Sequence, residues 1–530
     1  MAFIGKNTIE NLTTAMYEDL RIIYREYIQN SADSIDYAVK YGLITEEEAI
    51  INIEIDKKKK YVCVSDNGMG IEAAKFEKIM GSIADSTKDR NEDKGFRGIG
   101  RLGGISSCEK LVFSCSAAGE KIESICEWDA KLVRDILVDQ TQNPSAEELV
   151  DMATTYKRRE CDIDEHYFKV ELIEVEDSSY EILDEKLVKD YLRAVAPIPY
   201  EVGFMYASKI HDFARANGFS IDEYIVYVNG ESLFKKYTTN LYEPHNNSKK
   251  TYDELIDVKF EIFNDNEGCP LAWMWYGISK FEKQIPQINF MRGIRLRKSN
   301  IQIGNETTFA AHEYYKESRS SLYFVGEVFA VHSGLIPNAR RDYFNLNNTC
   351  REFEEILRPL FYDRFYRIYH YANDYKKALQ KQNEAISARA EFEQKITSGS
   401  FVNMDDKKEA ERKVELLEDA ASKASKMLET RDLKEGTDDV LSKVYGQLRE
   451  DYEVKNSATV ENVKKPQNIT NDVDETERKK EKDKFLSQKL SKYSKKEQKL
   501  IGRIYTILQA ILPYDTATIV IQKIQEELSK

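Results

Sequence analysis

The sequence predicts an α+β protein with a mixed α/β N-terminal part, a second α/β domain and a helical C-terminal region. Three observations carry this. Behind a helical pattern near the N-terminus, Ile51 to Ile55 and Tyr61 to Val64 flank the charged turn Lys57 to Lys60, as the arms of a hairpin do. The middle third is rich in aromatic and β-branched residues. Beyond Cys350 that pattern gives way to helical spacing that includes a heptad seam.

Taken in order, Thr8 to Val39 reads as one long helix, followed by the hairpin. Leu111–Cys115 and Phe168–Ile173 read as strands. From Ala196 to Asn347, Tyr224–Val228 followed by Asn229-Gly230 is a strand-and-turn signal. Val258–Phe263, Ile288–Phe290 and Leu322–Val328 read as further strands. Ala410, Val414, Leu417, Ala421, Ala424 and Leu428 step by four and three. That seam spans fewer than three heptads, which predicts an intramolecular helix pair, with Ser398-Gly-Ser400 as the turn before it. Residues 455–484 are polar and charged, as expected of a flexible linker. Apolar spacing resumes at Leu500, Ile504, Leu508 and Ile511, and Pro513 breaks it. Asp515 is placed to cap a final helix carrying Val520, Ile521, Ile524 and Leu528. A hairpin this small is expected to dock on the rest of the chain or on a second copy. The predicted divisions are 1–195, 196–347, 348–454, 455–484 and 485–530.

A chain of 530 residues exceeds what one core serves and predicts about three domains. The net charge of -14 argues against DNA as the main partner. Met1 to Lys6 lacks the basic and apolar segments of a signal peptide, and no apolar run is long enough to span a bilayer. The cysteines, Cys63, Cys108, Cys115, Cys126, Cys161, Cys269 and Cys350, are dispersed and form no CxxC pair, as expected of reduced thiols in the cytoplasm. The histidines have no HExxH-like spacing, so no structural zinc site is expected.

Four stretches carry chemistry. In Glu26-Tyr-Ile-Gln-Asn30-Ser-Ala-Asp33, positions 26, 30 and 33 share one stripe of a helix. Two carboxylates and an amide oxygen there can polarise water and hold magnesium beside a phosphate chain, although a solvated helix face has the same spacing. Asp66-Asn-Gly68-Met69-Gly70 follows a strand. Its carboxylate can accept from the amine of adenine while the glycines admit the base; alone, the stretch is also an ordinary turn. The third stretch is Met80-Gly-Ser-Ile-Ala-Asp-Ser86-Thr87-Lys88. The fourth, Gly95-Phe-Arg-Gly98-Ile-Gly100-Arg101, leads into a helix, where backbone amides can wrap phosphate. It does not follow a first strand and lacks the βαβ frame of a dinucleotide fold.

In this order the stretches resemble the GHKL superfamily of ATPases (gyrase, heat-shock chaperone, histidine kinase, MutL), above all its ninety-kilodalton heat-shock chaperone (HtpG-like) branch. The resemblance implies a Bergerat-type ATP-binding sandwich over 1–195, a transducer-like middle domain over 196–347, and ATP with Mg2+ as cofactors. It implies Glu26 as catalytic base and Asn30 as magnesium ligand, with Asp33 nearby. Asp66, Gly68, Met69 and Gly70 match the adenine box, and Ser86 and Thr87 lie in the stretch ahead of the lid. Gly95, Phe96, Arg97, Gly98, Ile99 and Gly100 match the phosphate-binding box. Gly95 to Gly98 followed by Ile105-Ser-Ser107 is also similar to the mismatch-repair branch. Downstream, Gly334 to Phe344 is similar to the middle-domain loop whose arginine reaches the γ-phosphate. This puts Arg341 in a catalytic role with Arg340 beside it; a surface arginine pair at a turn is the plain alternative. Arg295, Arg297 and Lys298 form a second candidate cationic loop. There are departures. The short segment from Thr87 to Gly95 implies a reduced lid, and Tyr167-Phe168 stands where the chaperones often carry a threonine beside adenine. The resemblance ends near Asn347.

The expected function is a cytoplasmic, slowly turning ATPase clamp, a homodimer with a protein partner or client and no membrane partner. Such a clamp would also suit the ATPase component of a bacterial defence system. A histidine kinase is disfavoured because no histidine precedes Glu26. A DNA-handling clamp of the MutL or gyrase kind is disfavoured by the acidic balance, though Lys484 to Arg503 is basic. A non-hydrolysing scaffold would not need Glu26.

Overall fold

The computed structural model describes residues 5–12, 19–83, 94, 100–435 and 438–464, and individual positions 501, 504, 505, 508, 520, 521, 523, 524 and 528. Two compact units are present, Met1–Ser457 and Ala458–Lys530.

The helix expected over Thr8 to Val39 is two helices, α1 (Asn7–Leu12) and α2 (Ile22–Lys40). The Asp19 carboxylate accepts from the Arg21 amide at 3.0 Å and from its guanidinium at 2.9 Å, and i to i+3 backbone bonds from Asp19, Leu20 and Arg21 start α2 afresh. Next come β1 (Ile50–Asp56), β2 (Tyr61–Asp66), α3 (Ala73–Gly81) and a 3-10 turn at Gly100–Ser106. They are followed by β3 (Cys108–Ser116), β4 (Ile122–Asp129), α4 (Ala130–Val138), α5 (Ala146–Ala153), β5 (Thr154–Glu160), β6 (Tyr167–Val175) and α6 (Glu185–Val195). After α7 (Ala207–Ala216) come the short strands β7 (Ile225–Val228) and β8 (Glu231–Ser232).

Among the described residues these strands form one sheet in the order β5-β4-β3-β6-β2-β1-β7-β8. Helices α2 to α6 share a core with it that includes Tyr24, Ile28, Phe76, Val133 and Leu192. Strand β7 lies beyond residue 195 yet pairs parallel with β1. Val226 and Val228 enter the core, and the Asn229 side chain accepts from the Ile55 amide at 2.8 Å, which fixes that edge.

The second sheet is built from β9 (Asn240–His245), β10 (Ser248–Asn264), β11 (Pro270–Ser279), β12 (Gly293–Lys298), β13 (Ile301–Ile303) and, after α8 (Thr308–Ala311), β14 (Val325–Ala330). Its order is β13-β12-β14-β11-β10-β9. The apolar run of β11 is buried on both faces: Trp273 and Trp275 pack with Ile210 and Ala214 of α7, and Met274 and Tyr276 with the C-terminal helices. Ile288–Phe290, expected as a strand, is a turn. The Asn289 side chain bonds Tyr242 and Pro286 there and uses polar groups that a strand would pair. The strand expected from Leu322 starts at Val325, because Ser318–Tyr323 is a 3-10 turn.

The helical region comprises α9 (Asn348–Pro359), α10 (Tyr366–Ser398), α11 (Met404–Glu435) and α12 (Asp439–Lys464). Helices α10 and α11 form the expected pair, with Val414, Ala424 and Leu428 of the seam buried. Gln382 donates to Ser425 at 2.8 Å, and Gly399 ends α10 at φ 62°. Helix α12 runs to Lys464, through the first part of the segment expected to be a linker; the rest of that segment, Leu500, Ile511, Pro513 and Asp515 lie outside the described residues. In the second unit, Tyr505 and Ile521 are buried in a small cluster with Ile501, Leu508, Ile524 and Leu528. No described helix is long and apolar enough to cross a membrane.

Candidate functional site

Helix α2 buries Ile23, Tyr27, Ile28 and Ile35 against the sheet, which turns Glu26, Asn30 and Asp33 along a neighbouring stripe. Glu26 is nonetheless only 8% exposed. Its Oε1 lies 3.4 Å from an Arg25 terminal nitrogen and 3.2 Å from Nε of Arg341, a residue of the second α/β domain. A buried carboxylate is costly unless paired, and two guanidiniums meet that need here. From the other side Gly100 closes over it: a Cβ on Gly100 would collide with Glu26 Oε2 and lie 3.1 Å from its Cδ. Asn30 is half-buried one helical turn on.

Arg341 is delivered by the loop after β14. Pro337 and Phe344 bridge the loop's two arms, the Arg341 amide donates to the Asn338 carbonyl at 3.1 Å, and the Gly304 amide donates to the Arg341 carbonyl at 2.8 Å. Arg341 has φ 56°, a left-handed conformation that costs a non-glycine residue about 1 kcal/mol or more. Its neighbour Arg340 is exposed, and its carbonyl lies 3.5 Å from an Arg25 terminal nitrogen. The second cationic stretch is not a loop. Arg295, Arg297 and Lys298 belong to β12, and Arg297 is fully buried in an ion pair with Glu327.

The Asp66 loop leaves the end of β2 and packs on α2. Asp66 is buried and accepts from the Gly68 amide at 3.0 Å. The Met69 amide donates to the Ser34 carbonyl at 3.1 Å. At Gly68 a Cβ would lie 2.6 Å from the Ser34 carbonyl carbon, and at Gly70, with φ +68°, one would lie 2.8 Å from that of Ser116. Both positions therefore require glycine. Phe168 is register partner to Asp66 on β2 and to Cys115 on β3, so an aromatic ring stands beside the buried carboxylate.

Asp33 accepts from the Lys94 amide at 2.8 Å, and the Lys94 ammonium reaches Asp36 at 2.5 Å and Asp222 at 3.2 Å. Burial opposes that charge, but Asp222 and Asp36 outweigh it and hold the ammonium well above its ordinary range. Asp33 thus anchors the approach to the glycine stretch. Ser86, Thr87, Gly95, Phe96, Arg97, Gly98 and Ile99 lie outside the described residues. Sequence reasoning missed Arg25, Lys94 and His166, whose ring nitrogen lies 2.8 Å from the Gly68 carbonyl. Adjacency to Glu26 and to Gly95 was the available signal for the first two; nothing local marks His166.

Residues 19–166 match the family described as histidine kinase-, DNA gyrase B-, and HSP90-like ATPase. The chain is 26% identical over 179 residues to the chaperone protein HtpG of Halalkalibacterium halodurans, covering 31% of this chain and 28% of that one. It is 34% identical over 111 residues to HtpG of Alkaliphilus metalliredigens, covering 19% and 18%. It is 25% identical over 152 residues to HtpG of Clostridium acetobutylicum, covering 26% and 24%. The chain thus matches less than a third of the length of these curated relatives. With the family match spanning the buried Asp66 loop, the α2 stripe and Gly100, residues 19–166 belong to the GHKL group of ATP-binding domains.

Proposed function

We propose that the chain is a magnesium-dependent ATPase in which nucleotide draws the second α/β domain onto the N-terminal one, acting as a homodimeric clamp of the chaperone type on a protein partner. The observation that carries this reading is the 3.2 Å ion pair between Arg341 and Glu26, which brings a cation from another domain to the catalytic-base position. Glycines at 68 and 70 let the Asp66 loop lie directly on the Ser34 and Ser116 backbone, and Gly100 lies directly on the Glu26 carboxylate, which supports backbone close enough to approach a base and a phosphate chain.

In this reading Asp66 accepts from the adenine amine and Phe168 lines the base. Asn30 offers its amide oxygen to magnesium, which when bound would neutralise phosphate charge and orient the terminal phosphate. Glu26 polarises the attacking water and takes its proton. Arg341 exchanges the Glu26 carboxylate for the terminal phosphate and stabilises the charge that develops there. Arg25 remains to hold Glu26 in place. Exchange of partners by Arg341 gives ATP a differential affinity for the two arrangements of the domains, which any nucleotide-driven motion needs.

Glu26→Ala is the test. ATP affinity by titration calorimetry should stay close to wild type while phosphate release falls by about a hundredfold or more. Equal release by the variant and the wild type would remove Glu26 from the mechanism.

A further inference from the structure

Beside the Glu26 ion pairs, but sharing no residue with the Asp66 loop, lies a cavity of about 760 Å³ between the start of α2, the end of α6 and three loops of the second domain. That volume is in the range of small-molecule sites. Six arginines line it: Arg21, Arg25, Arg292, Arg295, Arg340 and Arg341. The acids on its wall are largely committed elsewhere. Asp19 holds Arg21 at 2.9 Å, Asp190 is 3.4 Å from Arg193 and 3.1 Å from Lys236, and Asp342 accepts from Asn338. Glu306 stands 3.9 Å from Arg292. Arg25 and Arg341 both reach the Glu26 carboxylate.

The remaining two arginines have no carboxylate among the described residues. Arg295 is 5% exposed, and among the described residues its guanidinium donates to neutral acceptors, Gln302 Oε1 at 2.8 Å and the Phe290 carbonyl at 2.6 Å, and lies 5.5 Å from the Phe290 ring centroid. Arg340 is exposed and makes no ion pair among the described residues. A guanidinium stays charged at any physiological pH, so a buried one without a counter-ion is an open demand for an anion. Within the wall itself, Arg25 Nε and the Tyr191 hydroxyl are buried without hydrogen-bond partners among the described residues.

We infer that this cavity is a second ligand site, next to the ATP cradle and sharing Arg341 with it but not the Asp66 loop, for a small molecule bearing several phosphate groups. Arginine forks on two domains match phosphate oxygens geometrically, and a multiply charged ligand would offset the surplus on both walls. Such a ligand would bridge the domains next to Glu26. The inference does not depend on ATP hydrolysis.

Inorganic tripolyphosphate is the probe, titrated into the full chain with and without a saturating non-hydrolysable ATP analogue. One tripolyphosphate should bind per chain in both cases. Affinity should be unchanged by Asp66→Asn and lowered about tenfold or more by Arg340→Glu and by Arg295→Gln. Arg340 is exposed, so its variant reports even if replacing the buried Arg295 perturbs folding. Absence of binding, loss of binding once the analogue saturates the chain, or equal binding by Arg340→Glu would overturn the second site. Failure of the analogue itself to bind would instead count against the proposed ATPase, and the titration without it would still read the cavity.

Discussion

Glu26 has guanidinium nitrogens of Arg25 and Arg341 within 3.4 Å and the Gly100 backbone above it, so its oxygens are held in a narrow set of positions. A base that must meet a single water gains from this confinement. Asp66 is fixed differently, by the Gly68 amide and by packing of its loop on Ser34, which presents a buried acceptor at a strand end. Asp66→Asn keeps the shape but loses the charge and makes the acceptor ambiguous. ATP affinity should therefore fall about tenfold or more, while GTP, which lacks the adenine amine, should change little. Calorimetric titration with both nucleotides checks this, and an unchanged ATP affinity would remove Asp66 from base recognition. At this scale the sequence was legible where a residue type is forced: Glu26, Asp66 and the glycines are individually ambiguous, but their order is not. Arg25 and Lys94 were legible only as sequence neighbours of Glu26 and Gly95, because any arginine or lysine looks the same until its carboxylate partner is placed.

Among the elements, the hairpin β1–β2, the α10–α11 pair and the Gly399 stop could be read from alternation, heptad spacing and one glycine. The break before α2 could not, because its cause is a local Asp19–Arg21 closure inside a pattern that is helical on both sides. Nor could the role of β12. Its Arg297 reads in sequence as part of a cationic loop, but it is buried with Glu327, Lys235, Tyr200 and Tyr237. One carboxylate can neutralise one cation there. Burial opposes the charge on Glu327, but Arg297 and Lys235 outweigh it and hold the carboxyl down at about 2. Lys235, 3.4 Å from Glu327, is pushed down to about 7 by burial and by the charge of Arg297. An unfolded lysine titrates near 10.4, so between about pH 7 and pH 10 the unfolded chain binds the extra proton and folding gains as pH rises. Lys235→Met lacks this gain. Urea unfolding at pH 6, 8 and 9 should show wild type and variant separating above pH 7 by about 1 kcal/mol per unit, in favour of wild type. A gap that does not change with pH would mean that Lys235 stays charged in the folded protein.

At the scale of the whole molecule, the second α/β domain is tied to the first through its β12–β13 edge as well as through Arg341. Arg297 donates to the Ala194 carbonyl at 3.1 Å and Asn300 to the Asp222 carbonyl at 2.6 Å. In the proposed clamp, the Arg341 loop would act from this anchored edge. Among its described residues the C-terminal unit buries a small apolar cluster around Tyr505 and Ile521, and small apolar helical units gain from docking on a second copy. Removing all residues after Lys484 should therefore lower self-association in sedimentation and reduce ATP turnover with it, leaving ATP affinity nearly intact, because tethered copies raise one another's effective concentration. A truncated chain that associates and turns over like the full one would show that this unit plays no part in a dimer.

The central claim, that a residue of the second domain completes the ATP site, is tested most directly by single-turnover phosphate release from Arg341→Ala. Arg341 meets Glu26 at 3.2 Å but lies outside the matched domain of residues 19–166, so its loss should spare nucleotide binding and remove charge stabilisation at the terminal phosphate. The account predicts ATP affinity close to wild type with phosphate release slowed by about a hundredfold. Release at the wild-type rate from a chain saturated with ATP would contradict it.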